Sequence, residues 1–127
     1  MVVNKVCNTS KDFIELPDRL DIIVTDLDDS THGETIVNLV HKNKIKLNHK
    51  LSLKESVFVL AHELLHISQI HRGILGIHKN GNYIWEGKQY MNLAKLKQLS
   101  YNEYLQLPWE QDVVLKQQKL LKNLLNF

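Results

Sequence analysis

The sequence predicts an α+β fold, and three features predict it. Residues 20–50 alternate apolar and polar side chains in short runs, the pattern of half-buried strands. A long helix with an apolar face follows from Leu53, announced by Ser52 and Glu55 as a capping box. A second helix opens at Pro108, a residue suited to the first helical position, and carries Val113, Val114, Leu120, Leu121, Leu124 and Leu125 on one side. The chain of 127 residues reads as one domain, 1–127, long enough for a single modest core.

Taken in order, Asp12–Leu16 reads as a short helix ended by Pro17. Cys7 reads as a small buried residue of a first strand; as the lone cysteine it excludes an internal disulfide. Asp21–Asp26 is a strand, followed by a polar turn over residues 28–33. That acidic turn lacks the EF-hand ligand pattern and reads as a solvated loop before a calcium site. Glu34–His41 and Lys44–Asn48 alternate as a hairpin around Lys42-Asn43. The helix from Leu53 ends at His71, Arg72 and Gly73, a cationic last turn with a glycine stop. A Gly-rich connection over 73–82 follows, then a short strand or hairpin holding Tyr83, Trp85, Lys88 and Tyr90. Helices near 89–106 and 108–125 close the chain, the latter with Lys116, Lys119 and Lys122 toward its C-terminal half.

Composition narrows the function classes. No apolar run is long enough to span a membrane, and the N-terminus lacks the apolar core of a signal peptide, so the expected setting is cytoplasmic. The net charge of +2 predicts no nucleic-acid partner. Its distribution is uneven: residues 64–127 hold eight Lys/Arg against four acids, whereas 1–63 hold eight against ten. With only two arginines, the excess reads as the solvated faces of the later helices.

The strongest motif is His62-Glu63-Leu64-Leu65-His66, an HExxH in the middle of the predicted long helix. Residues four apart lie on one helix face, so His62 and His66 can offer two imidazoles to one ion. Glu63 is then placed as general base for a water activated by zinc, whose catalytic sites use three protein ligands and an open position. The third ligand has to come from elsewhere. Gln69 and Arg72 stand where an HExxHxxGxxH site needs Gly and His, which excludes that arrangement. Two acids compete, Glu86 and Glu110. Glu86 sits between the turn residues Asn80-Gly81-Asn82 and Gly87, in strand-like surroundings. Glu110 falls in the first turn of the Pro108 helix and is preferred, because ligands belong on rigid elements. A His/His/Glu set suits zinc better than magnesium or calcium. The remaining histidines, His32, His41, His49, His71 and His78, fall in loops or at element ends. Trp85 and Trp109 read as core anchors, with Trp109 also able to wall the site.

The runs "LSLKESVFVLAHELLHISQ", "YIWEGKQY" and "YLQLPWEQDV" together resemble small zincin-fold metallopeptidases of the minimal gluzincin kind, over residues 35 to about 125. Similar small proteins occur among uncharacterised reading frames, including those of phages. The resemblance implies His62, His66 and Glu110 as zinc ligands, Glu63 as general base, and Tyr104, the tyrosine before Pro-Trp-Glu, near the site. It also implies a small mixed sheet packed on the HExxH helix, with two further C-terminal helices. In such folds an edge strand borders the cleft, and Lys44–Asn48 is the strand expected there, ready to pair with substrate backbone. The expected function is a zinc-dependent endopeptidase acting on a peptide or protein substrate. Tyr101, Tyr104 and, third, His78 are the groups available to steady the oxyanion. The rival readings are a zincin-fold binding or structural protein, such as a virion or host-interaction factor that keeps zinc without turnover, and a latent enzyme whose cleft is covered. Substrate and oligomeric state are not legible.

Overall fold

Helix α1 (Val2–Ser10) opens the chain where its valines and threonine argue locally for a strand. The computed structural model describes residues 2–37, 43–78 and 81–125. Within α1, Val3, Val6, Cys7 and Ser10 recur at helical spacing and turn inward; Val6 and Ser10 are fully buried. Packing on that face overrides local preference, so Cys7 lies on a helix instead of the expected first strand. The residues read as a short helix, Asp12–Leu16, instead form a turn and an irregular segment.

Strand β1 (Leu20–Thr25) lies parallel to β3 (Asn43–Asn48), with Ile22 opposite Ile45. Strand β2 (Gly33–Val37) lies antiparallel to β3, from Gly33 opposite Leu47 to Val37 opposite Asn43. The order is therefore β1-β3-β2, a mixed three-stranded sheet. The antiparallel pair is the expected one, and its connection over 38–42 lies outside the described residues. One expectation is overturned: Lys44–Asn48 is the central strand, not an edge. With β1 docked on its far side, β1 and β2 are the edges of the described sheet, and Ile45 and Leu47 are buried against the helices.

Helix α2 (Leu53–His71) starts where expected. Ser52 Oγ accepts from the Glu55 amide and Glu55 Oε1 accepts from the Ser52 amide, closing the capping box. It ends as Gly73 takes φ 77°, a conformation cheap only for glycine. The Gly-rich connection then hides a strand, β4 (Leu75–Ile77), which pairs with β5 (Asn82–Trp85). A tight turn at Glu86-Gly87 leads to β6 (Lys88–Asn92), giving a second antiparallel sheet in the order β4-β5-β6. The single helix expected near 89–106 is this strand plus two short helices, α3 (Leu93–Gln98) and α4 (Tyr101–Leu105). Asn92 caps α3, and a second capping box, Ser100 with Glu103, restarts the chain as α4. Helix α5 (Pro108–Leu125) begins at the predicted proline.

The architecture is thus α+β, with five helices and two small sheets among the described residues. Helix α2 is its axis. One side packs with α1, α5 and β3 through an aliphatic cluster that includes Leu60, Leu64, Val113 and Leu124, each at most 1% exposed. A separate cluster of Leu75, Leu107 and Trp109 joins the second sheet to the start of α5. Among the described residues no helix is long and apolar enough to cross a membrane.

Candidate metal centre

His62 and His66 project from the same face of α2, their rings edge-to-face with centroids 4.8 Å apart. The apolar face of α5 packs along α2, and this brings the first turn of α5 against that pair. Glu110 arrives there 2% exposed, with Oε1 3.4 Å from His62 Nε2 and Oε2 2.7 Å from His66 Nε2. Among the described residues, His62, His66 and Glu110 are the group able to hold a metal, with ligand atoms all within 4.8 Å of one another. Glu86 is exposed in the β5–β6 turn, with φ 50°, and does not join them.

No family model, curated protein or solved structure matches the chain. The chemistry of the site therefore rests on its own geometry.

That geometry contains a fit test for a cation. Gln69, fully buried on α2, donates from Nε2 to the Trp109 carbonyl at 2.9 Å and to Asp112 Oδ2 at 2.8 Å. Both donations fix the amide, so its Oε1 faces His66 Nδ1 at 2.9 Å and accepts from it. The hydrogen-bond network thereby assigns the proton of neutral His66 to Nδ1 and leaves a bare lone pair on Nε2. Opposite that lone pair is Glu110 Oε2, a buried oxygen with no hydrogen-bond donor. Its 2.7 Å neighbour is an acceptor in this tautomer, and two acceptors at that range repel. Either a second proton on His66 or a cation shared by the three side chains removes the conflict. Donors on a tetrahedral zinc stand about 3.3 Å apart, given Zn–N and Zn–O bonds of about 2.0–2.1 Å. The His62–Glu110 separation of 3.4 Å matches that spacing, whereas the 2.7 Å His66–Glu110 pair is tighter.

Electrostatics point the same way. Burial alone would raise the Glu110 pKa, but in the absence of a cation protonated His62 and His66 would donate to it, and their hydrogen bonds and charge outweigh burial and hold the carboxylate at about 2. Burial alone would lower the His62 pKa; the Glu110 hydrogen bond and the charges of Glu63 and Glu110 bring the net shift upward. The site draws positive charge toward itself.

Glu63 stands beside the group, half-buried, and one of its oxygens, Oε2, accepts a hydrogen bond from Thr35 Oγ1 on β2. Strand β2 reaches this close because residue 33 is glycine: a Cβ there would lie 2.5 Å from Val59 Cγ1. Tyr104 lines the same cleft, and its phenol pKa is raised by burial and by the nearby Glu110 and Glu63 carboxylates. Tyr101 is 74% exposed, and His78 is exposed beyond the end of β4; neither lines the cleft among the described residues. Trp109 does wall the cleft, and its ring stacks on Tyr83 at 5.3 Å. The acidic turn is tied by protein groups: His49 pairs with Asp26 and Lys50 with Asp29, and the Asn48 amide donates to the carbonyls of Leu27, Asp28 and Thr31.

Gln69, Asp112, Thr35 and Gln117 were not singled out as site residues from the sequence, yet they orient the ones that were. Gln117 Oε1 lies 3.3 Å from His62 Nδ1. A signal for Gln69 existed: it is a polar residue three positions after His66 on an otherwise apolar helix face.

Proposed function

We propose that the chain is a zinc-dependent metallopeptidase of zincin-like fold that cleaves bonds within peptide or protein substrates. The single observation that supports it most is the convergence of His62, His66 and Glu110 beside Glu63, in a cleft bordered by an edge strand. The zincin-like part rests on a mixed sheet that precedes the HExxH helix and packs along it.

His62, His66 and Glu110 would hold the zinc, which when bound polarises a carbonyl and acidifies water to a pKa of about 7. The remaining work falls to the chain's own side chains. Thr35 engages one oxygen of Glu63, and no donor of a described residue is bonded to the other. That free oxygen takes the proton of the attacking water as the water oxygen bonds to the scissile carbon. It then passes the proton to the departing amine nitrogen as the C–N bond breaks. Tyr104 keeps its proton, because burial and the carboxylates raise its pKa, so it serves as an O–H donor to the developing oxyanion. Gln69 and Asp112 hold His66 in one tautomer.

Elemental analysis beside peptide cleavage tests the reading. The expected result is about one zinc per chain, lost in His66→Ala and Glu110→Ala. Glu63→Gln is expected to keep the zinc while cleavage falls about 10²- to 10⁴-fold, the usual weight of general-base catalysis. A wild-type protein that takes up no zinc after reconstitution sinks the proposal. Zinc without cleavage of any peptide, unchanged by Glu63→Gln, leaves a zinc-holding binding protein instead.

A further inference from the structure

A groove of about 480 Å³ lies between α2, α5 and the segment that follows α1. It shares no lining residue with the cleft over the metal ligands. Its floor is apolar, with Leu65 of α2 and Leu120 of α5 both buried. Its lips carry Phe13, 51% exposed, and Leu115, 79% exposed. Single surface leucines are ordinary, but here two large apolar side chains flank an apolar floor. Cations stand around it. Arg72, at the end of α2, is exposed, and its Nε–H donates to the carbonyl and the hydroxyl of Ser68. Lys119 is exposed on α5. Among the described residues neither has a carboxylate partner, whereas Lys116 is held by Asp112 at 3.0 Å. Glu15 is the acid of the lining, so three cations face one carboxylate.

We infer that this groove docks an amphipathic helical segment of a partner protein, with aliphatic side chains on one face and carboxylates beside them. The inference is independent of the peptidase reading. The α2–α5 pair already seats one helix, since α1 packs on both, with Val3 and Val6 turned inward. The groove beside it is about two helical turns long: Leu65 to Arg72 on α2 and Lys116 to Asn123 on α5 each span about 10 Å. A helix laid there places apolar residues at helical spacing against Leu65, Leu115 and Leu120. Its carboxylates reach Arg72 and Lys119, the cations that lack a partner; a basic segment would meet like charge there. The floor leucines are reached only by side chains that enter the groove, which disfavours a flat lipid surface. The exposed lips leave a small amphiphile mostly in water, short of the burial of about 70–90% that small-ligand sites provide.

The probe is the blocked peptide acetyl-(Glu-Ala-Leu-Leu)3-Glu-Ala-amide, labelled for fluorescence anisotropy, beside the same peptide with lysine in place of glutamate. The acidic peptide is expected to bind about tenfold or more tighter than the basic one, and to weaken as salt is raised. Two sets of surface variants locate it. Arg72→Glu/Lys119→Glu should invert the preference, so that the basic peptide binds the tighter. Leu115→Gln and Phe13→Ser should each weaken the acidic peptide about tenfold, with the far-ultraviolet spectrum and the melting temperature as in wild type, because both side chains are exposed. Vesicles of phosphatidylserine and phosphatidylcholine offer the competing surface. A protein that sediments with them and ignores the acidic peptide overturns the inference in favour of a lipid contact. No binding, or equal affinity for the two peptides, overturns it as well. So does acidic-peptide binding that survives both sets of variants, which places the peptide elsewhere on the molecule. Zinc uptake and peptide cleavage by these variants should match wild type, so failure of the peptidase reading leaves this test intact.

Discussion

The two apolar clusters of this molecule differ in chemistry and in what hangs from them. The first is aliphatic and closed: Ile45, Leu60, Leu64, Ile67 and Leu124 are all at most 1% exposed. It clamps α2 to α5 and so fixes His62 and His66 relative to Glu110. The second has Leu75, Leu107 and Trp109 buried and then opens through Tyr83, Met91, Leu96 and Leu99, which are only partly covered. A metal site needs its ligands held to within about half an ångström, and a closed, interdigitated core supplies that rigidity. A substrate wall has to stay accessible, and partly exposed aromatic surface supplies that. In the proposed peptidase the ligands would rest on the first cluster and the cleft wall on the second, which separates the two requirements.

Truncation should break the first cluster far more than the second. Leu64→Ala is expected to remove about 2–5 kcal/mol, cavity term included, from a total stability of about 5–15 kcal/mol. Leu99→Ala, at the half-buried end of α3, should cost about 1 kcal/mol. Urea unfolding of the two variants compares them directly. Similar losses would mean that the clusters act as one core and that the division of labour is mistaken.

At the centre itself, Glu110→Gln removes the carboxylate both imidazoles face, and zinc affinity should fall below detection in a chelator competition while the far-ultraviolet spectrum persists. Gln69→Leu is the sharper probe. It keeps side-chain bulk but deletes the acceptor for His66 Nδ1 and the donors to Asp112 and Trp109. Loss of such an orienting partner costs about 10- to 100-fold in metal affinity. An unchanged affinity would show that packing alone orients His66.

How much of this was legible follows the range of the interactions. The capping box at Ser52, the proline start at Pro108 and the His62/His66 spacing are local, and each stands where the sequence puts it. Bringing Glu110 to the pair required α5 to pack against α2; its apolar side said that it packs, but not against which element. Illegible were the contacts that only the tertiary fold creates. Nothing in "DIIVTD" says that it pairs parallel with Asn43–Asn48 and makes that strand central, nor does "GETIV" say that its Thr35 meets Glu63. The strand Leu75–Ile77 is three residues long inside a glycine-rich stretch, too short to alternate visibly. The break between α3 and α4 was readable, since Ser100 and Glu103 repeat the Ser52 and Glu55 signal, but the flanking leucines suggested continuity.

The finest test of the contrast uses two glycines, one in each sheet. At Gly33 an added Cβ would lie 2.5 Å from Val59 Cγ1, 3.4 Å from the Lys46 carbonyl oxygen and 3.6 Å from Glu63 Cγ. Gly33→Ala is therefore expected to cost about 1–3 kcal/mol as overpacking does, by displacing the Val59 side chain or by moving β2, and with it Thr35, off α2. At Gly76 the nearest heavy atom would be Ile84 Cβ at 3.8 Å, an ordinary contact. Its φ lies outside the left-handed region, so Gly76→Ala should leave stability unchanged or raise it by about 0.4–1 kcal/mol through the unfolded chain. Thermal melts of both variants, with zinc binding measured alongside, read the difference. A Gly33→Ala protein as stable as wild type would mean that β2 does not approach α2 closely enough to hold Glu63. A destabilised Gly76→Ala protein would mean that the second sheet is packed as tightly as the first.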